Sequence, residues 1–101
     1  MKNIILLCAA GMSTSLLVTK MQNAAKERGL EYHIEAFAIN EDKRASEIAD
    51  VILLGPQVRF QVKKMQEKYP ELPIDSIDMR DYGTMNGSNV LDFARKLMGE
   101  D

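Results

Sequence analysis

The sequence predicts a small doubly wound α/β domain: a four-stranded parallel sheet in the order 2-1-3-4 with helices on both faces. Three observations carry that prediction. Val51-Ile52-Leu53-Leu54 is a continuous apolar run, the pattern of a central parallel strand covered on both sides. Ile4 to Leu7 is a second such run, and it ends on Cys8, the only cysteine. Strand patterns and helical patterns then alternate four times along the chain, so right-handed crossovers wind it into one sheet. With the two apolar runs in the middle, the strand order is the flavodoxin-like one, and its switch point falls between strands one and three.

The elements follow in order. After Cys8, the small residues Ala9, Ala10 and Gly11 and the hydroxyl residues Ser13, Thr14 and Ser15 lead into an amphipathic helix over about 13–28, with Leu17, Met21 and Ala24 or Ala25 on its apolar stripe. Gly29 is its stop. Tyr32 to Ala38 alternates as a second strand, with Ile34, Ala36 and Ala38 on one face and His33, Glu35 and Phe37 on the other. Asn40 is the expected cap of a short helix over 41–48. The strand at 51–54 stops at Gly55-Pro56, and Val58, Val62, Met65 and Tyr69 keep helical spacing over 58–69. Ile74 to Ile77 is a shorter, more polar edge strand, and 78–87 reads as a loop. Ser88 or Asn89 is the expected cap of a last helix with Val90, Leu91, Ala94, Leu97 and Met98 on its apolar side.

Composition narrows the function. At 101 residues the chain is expected to form one domain, 1–101, large enough to bury a core without staples. Thirteen basic and fifteen acidic residues nearly balance, with no block of like charge, which argues against a nucleic-acid or anionic-membrane surface. One cysteine cannot form an internal disulfide, as suits a reducing compartment, so the cytoplasm is expected. The run from Ile4 to Leu7 is shorter than the roughly seven to fifteen apolar residues of a signal peptide, and no stretch approaches the roughly twenty of a membrane span. No direct membrane insertion is expected. The apolar stripes ask for no second copy, and a monomer is expected.

The residues that could carry chemistry gather at one end of the predicted sheet. A loop after a parallel strand lies where ligands bind, and the exposed N–H groups of a helix start favour an anion. A free cysteine is often a buried small hydrophobe. Cys8 instead stands at a strand's carboxyl end, facing a helix N-terminus, where a thiol is placed to act as a nucleophile. Ala9, Ala10, Gly11, Met12, Ser13, Thr14 and Ser15 can form the nest of backbone N–H groups that cradles phosphate. Met12 could also touch a partner. His33 lies away from any loop end and reads as structural or exposed. Asp75, Asp78 and Asp81 read as a solvated rim. One cysteine and one histidine are too few for a structural zinc, and neither a metal nor a cofactor is expected.

Two resemblances share this loop. The Cys-x5-Arg-Ser/Thr loop of low-molecular-weight protein tyrosine phosphatases maps its cysteine onto Cys8 and its last hydroxyl onto Ser15, but its arginine position holds Thr14. Without a bidentate cationic clamp, efficient phosphate hydrolysis is not expected. Their aspartic-acid donor, normally followed by proline, has no clean match either, because Asp81 precedes Tyr82. A second resemblance spans the chain. ILLCAAGMSTSLLVTKM, the strand at Glu35 to Ile39, DVILLGPQV at Asp50 to Val58 and DYG at Asp81 to Gly83 resemble the enzyme IIB components of the lactose/cellobiose (chitobiose) class of sugar phosphotransferase systems.

That resemblance implies a cytoplasmic carrier that takes a phosphoryl group from a phosphohistidine on enzyme IIA and passes it to a sugar bound by membrane enzyme IIC. The sugar would be a β-linked disaccharide or oligosaccharide of the cellobiose, chitobiose or lactose type. It makes Cys8 the phosphorylated nucleophile, the backbone N–H groups of Ala9 through Ser15 the phosphate loop, and Pro56, Gln57, Tyr82 and Gly83 the flanks of the site. The alternatives are a thiol phosphatase or arsenate reductase on the same loop, and, third, a signalling receiver, which would want acidic residues where this chain has Cys8.

Overall fold

The two apolar runs can leave water on both faces only by lying side by side under helices, and they do. The computed structural model describes residues 1–9 and 12–100, and for Met12 and Ser13 the backbone only. Strand β1 (Lys2–Cys8) pairs in parallel with β3 (Val51–Leu54) on one side and with β2 (Tyr32–Ala38) on the other. Strand β4 (Ile74–Ser76) extends the sheet beyond β3, giving the predicted order 2-1-3-4. Every residue from Ile4 to Leu7 and from Val51 to Leu54 is fully buried.

Alternation along the strands divides the core in two. Ile4, Leu6, Val51 and Leu53 point to the face covered by α1 (Met12–Glu27) and α5 (Gly87–Met98), against Leu17, Met21, Val90 and Leu91. Ile5, Leu7, Ile52 and Leu54 point to the other face, against Ala45 of α2 (Asp42–Ile48) and Met65 of α3 (Val62–Lys68). Phe37 joins the second cluster and Ile34 the first, as their alternation requires. Full burial of such side chains contributes about 1.5–3 kcal/mol each, so the register of β1 on β3 is strongly set. Leu7 stands opposite Leu54, and Cys8 and Gly55 therefore leave the sheet side by side.

Four boundaries differ from expectation, each for a local reason. The helix expected over 58–69 is divided: a 3-10 segment, Pro56–Gln61, precedes α3, and Val58 (φ −118°, ψ 21°) breaks the run where its side chain is drawn into the core. Asn40 does not cap a helix at residue 41; Ile39–Glu41 forms a 3-10 turn and α2 begins at Asp42. The stretch 78–87, expected as loop, contains α4 (Met79–Gly83), because the Asp78 carboxylate accepts hydrogen bonds from the N–H groups of Arg80 (2.9 Å) and Asp81 (3.2 Å). The last helix is capped by Asn86, whose side chain accepts from Asn89 N–H at 3.0 Å, and not by Ser88 or Asn89.

Gly87 explains that earlier start. A Cβ there would stand 2.5 Å from the Lys20 carbonyl carbon and 2.6 Å from the Met21 nitrogen, so α5 presses on the backbone of α1 at a place only glycine permits. On the opposite face, Asp42 Oδ2 accepts from Lys68 Nζ (2.8 Å) and from the Tyr69 hydroxyl (2.7 Å), tying α2 to α3. Burial disfavours the Asp42 charge, but these two hydrogen bonds outweigh it and hold the carboxyl below the usual carboxylate range.

Two stability predictions follow from these contacts. Gly87→Ala should destabilise the fold by about 1–3 kcal/mol through overpacking against immovable backbone. Gly83→Ala, where nothing lies within 4 Å of the added carbon, should leave it unchanged or stabilise it by up to about 1 kcal/mol; urea denaturation of both checks the contrast. Asp42→Asn should cost about 1 kcal/mol at neutral pH. Because the folded carboxyl titrates below its unfolded value, that difference should persist above the ordinary carboxylate range and close as pH falls through the lowered value, as denaturation across pH would show.

Candidate functional site

Cys8 is the last residue of β1 and is 1% exposed, with Ala9 beyond it exposed. Its sulfur lies 3.0 Å from the hydroxyl oxygen of Thr14, in the first turn of α1. Thr14 is wholly buried, the sole polar side chain to be so among the described residues. A hydroxyl taken from water without a partner would cost about 1–3 kcal/mol, and the Cys8 sulfur is a partner in this position. Helix α1 runs for 16 residues with no acidic side chain in its first turn. The positive end of its dipole is thus not offset by a carboxylate of its own, which suits an anion beside Cys8. Ser15 is exposed, and its carbonyl accepts from the Thr19 hydroxyl at 3.2 Å. Ala10, Gly11 and the side chains of Met12 and Ser13 lie outside the described residues.

The neighbouring strand supplies the second wall. Gly55 N–H donates to the Leu7 carbonyl at 2.8 Å, locking the end of β3 to the end of β1. A Cβ on Gly55 would stand 3.5 Å from Cys8 Cβ and 2.9 Å from Gln57 Oε1. The Gln57 amide therefore folds back over Gly55, into space that any larger residue would fill. The switch point between strands one and three predicts Gly55-Pro56-Gln57 beside the Cys8 loop, and Gly55 stands there; the return of the Gln57 amide over Gly55 has no signal in the sequence.

The four residues expected to flank the site come together. Pro56, Gln57, Tyr82 and Gly83 line one open groove of about 490 Å³, completed by Arg59, Phe60 and Met79. The cap at Asp78 starts α4, which carries Met79, Tyr82 and Gly83 to this groove. Tyr82 lines this groove while mostly buried, and it also belongs to the core under α1 and α5. Phe60 and Met79 are largely exposed. Sequence reading passed over both, although Phe60 stands off the apolar stripe of its segment, which is the signal a surface aromatic leaves.

The remaining candidates are engaged elsewhere. Asp78 Oδ1 is occupied as a cap, Asp81 Oδ1 accepts from Asn89 Nδ2 at 3.1 Å, and Asp75 Oδ1 accepts from Ser76 N–H at 2.8 Å. His33 stands opposite Asn3 near the amino end of the sheet, exposed, with Nε2 2.8 Å from Glu35 Oε1. Among the described residues no helix is long and apolar enough to cross a membrane.

The family is shown by comparison with known proteins. The model of the family described as "PTS system, Lactose/Cellobiose specific IIB subunit" matches residues 3–93. A galactose-specific EIIB component of Lactococcus lactis is 47% identical over 104 residues, covering 96% of each chain, and a cellobiose-specific EIIB component of the same species is 46% identical over the same shares. The solution structure of a cellobiose-specific IIB component from Borrelia burgdorferi superposes with a TM-score of 0.81 at 42% identity, over 97% of this chain and 92% of that one. The fold alone is shared with the arginine phosphatase YwlE, a mutant of which from Bacillus subtilis gives a TM-score of 0.56 at 14% identity, over 99% of this chain and 95% of that one. Taken with the sheet order and the Cys8 loop, these likenesses decide between carrier and phosphatase: the chain belongs to the lactose/cellobiose-specific IIB subunits of the sugar phosphotransferase system.

Proposed function

We propose that Cys8 is the residue on which this phosphotransferase-system IIB component carries the phosphoryl group, receiving it from a phosphohistidine on enzyme IIA and giving it to a sugar held by membrane enzyme IIC. The observation that carries the proposal is the placement of the Cys8 sulfur at the carboxyl end of β1, against the first turn of α1. The backbone N–H groups from Ala9 to Ser15 bind the phosphoryl oxygens, with the hydroxyls of Ser13 and Ser15 as further donors, and Pro56, Gln57, Tyr82 and Gly83 flank the incoming group. The whole chain, 1–101, acts as one carrier domain, a monomer in the cytoplasm, needing no metal or cofactor. The sugar is a β-linked disaccharide or oligosaccharide of the cellobiose type, and the membrane partner makes most of the contacts to it.

The chemistry fits the residues. Phosphoryl transfer needs chiefly alignment and charge stabilisation. A carrier must also let go, and binding the resting phosphoryl group too tightly would raise the barrier to the next transfer. Backbone amides and hydroxyls offer partial charges, whereas an arginine at the position of Thr14 would clamp the group with a full one. Donor and acceptor must both reach the same Cys8 sulfur, so they dock in turn.

Intact-mass measurement after incubation with phosphoenolpyruvate, the general phosphotransferase proteins and a cognate IIA should show the gain of one phosphoryl group, and Cys8→Ala should show none. Alanine is the cleaner replacement, because a serine retains an acceptor oxygen. A phosphoryl group on Cys8→Ala would sink the proposal. With an aryl phosphate alone, the wild-type chain should hydrolyse no faster than Cys8→Ala; rapid turnover lost in that variant would favour the phosphatase reading.

A further inference from the structure

We infer that Thr14 is a positioning residue for Cys8: its hydroxyl hydrogen-bonds the sulfur and holds it aimed for attack, leaving the phosphoryl oxygens to the backbone amides. The inference rests on the reading of Cys8 as the phosphoryl acceptor and adds how that acceptor is prepared. The geometry is specific. Thr14 Oγ1 lies 3.0 Å from Sγ, within hydrogen-bonding range for sulfur, and both side chains are buried. Thr19, one turn further along α1, spends its hydroxyl on a carbonyl four residues back and is exposed, the ordinary habit of a helical threonine. The Thr14 oxygen faces the thiol, at the one fully buried polar position among the described residues.

The hydrogen bond must change sense as the sulfur changes state. A thiol can donate to the threonine oxygen; a thiolate only accepts, so the hydroxyl then donates. In the transfer step a sulfur lone pair forms the S–P bond as the donor's N–P bond breaks. That electron pair remains on the imidazole nitrogen, which takes up the proton lost by the thiol. Thr14 keeps its own proton throughout. A hydrogen bond to a charged sulfur is stronger than one to the neutral thiol, so the contact holds the side chain most firmly as the sulfur attacks. It also fixes the direction of Sγ, since a side chain with two anchors cannot swing.

Thr14→Val keeps the shape of the side chain and removes the hydroxyl, while Thr14→Ser keeps the hydroxyl and removes the methyl group. With phosphorylated IIA as the substrate, Thr14→Val should lower kcat about tenfold to a hundredfold with KM unchanged, and Thr14→Ser should restore most of the rate. A lost fold would instead show in circular dichroism and thermal melting of Thr14→Val. Alkylation of Cys8 by iodoacetamide at neutral pH should follow the same order, slow in Thr14→Val and recovered in Thr14→Ser, with no partner protein required. Wild-type kcat and alkylation in Thr14→Val, or a Thr14→Ser as slow as Thr14→Val, overturns the inference. If the wild-type chain takes no phosphoryl group from a working donor, the acceptor reading fails on its own account, and the alkylation series still decides whether Thr14 governs the sulfur.

Discussion

The parallel pairing of β1 with β3 is the constraint on which the rest of this molecule depends. Both strands are buried on both faces, so a slip of one residue would drive every side chain of β1 into the wrong core cluster. The ends of the two strands are fixed by the same pairing. Leu7 opposes Leu54, Gly55 N–H bonds to the Leu7 carbonyl, and Cys8 is delivered to the first turn of α1 without a flexible lead-in. A nucleophile held on a rigid strand needs little further ordering when a partner arrives, and phosphoryl transfer rewards that economy of alignment.

Around that fixed point the helices divide the labour. Helix α1 brings Thr14 and its N-terminus to the sulfur, and α5 presses α1 into place through the glycine contact at Gly87. On the other face α2 and α3, joined through Asp42, Lys68 and Tyr69, hold the sheet beneath the Pro56–Gln61 segment. The groove between that segment and α4 exposes Phe60 and Met79 beside Arg59, apolar surface with a cation at the end of the sheet where Cys8 emerges. Tyr82 ties the groove to the core under α1 and α5, whereas Phe60 and Met79 stand free on its rim.

Much of this was legible in the sequence because it follows from burial. Continuous apolar runs can be satisfied only in the middle of a covered parallel sheet, which gave the strand order, the two core faces and the position of Cys8. The motif around Cys8 and the turn at Gly55-Pro56 carried the family. What escaped was set by single contacts between distant segments. The cap at Asp78 made a helix where polar composition suggested a loop, Val58 broke a periodic stretch to reach the core, and Asn86 displaced the expected cap because Gly87 must meet α1. The hydrogen bond between Thr14 and Cys8 was hidden for a related reason: a run of hydroxyl residues shows which side chains are present, and only the helix phase shows which of them turns inward.

The central claim, that the phosphoryl group rests on Cys8 within the loop opening α1, is tested most directly by magnetic resonance of the chain in its phosphorylated and free forms. The account predicts a phosphorus signal of a cysteine thiophosphate, with backbone amide shifts concentrated over residues 9–15 and 55–57 and little change at the amino end of the sheet. A phosphohistidine signal, with the amide of His33 displaced and those of residues 9–15 unmoved, would contradict it.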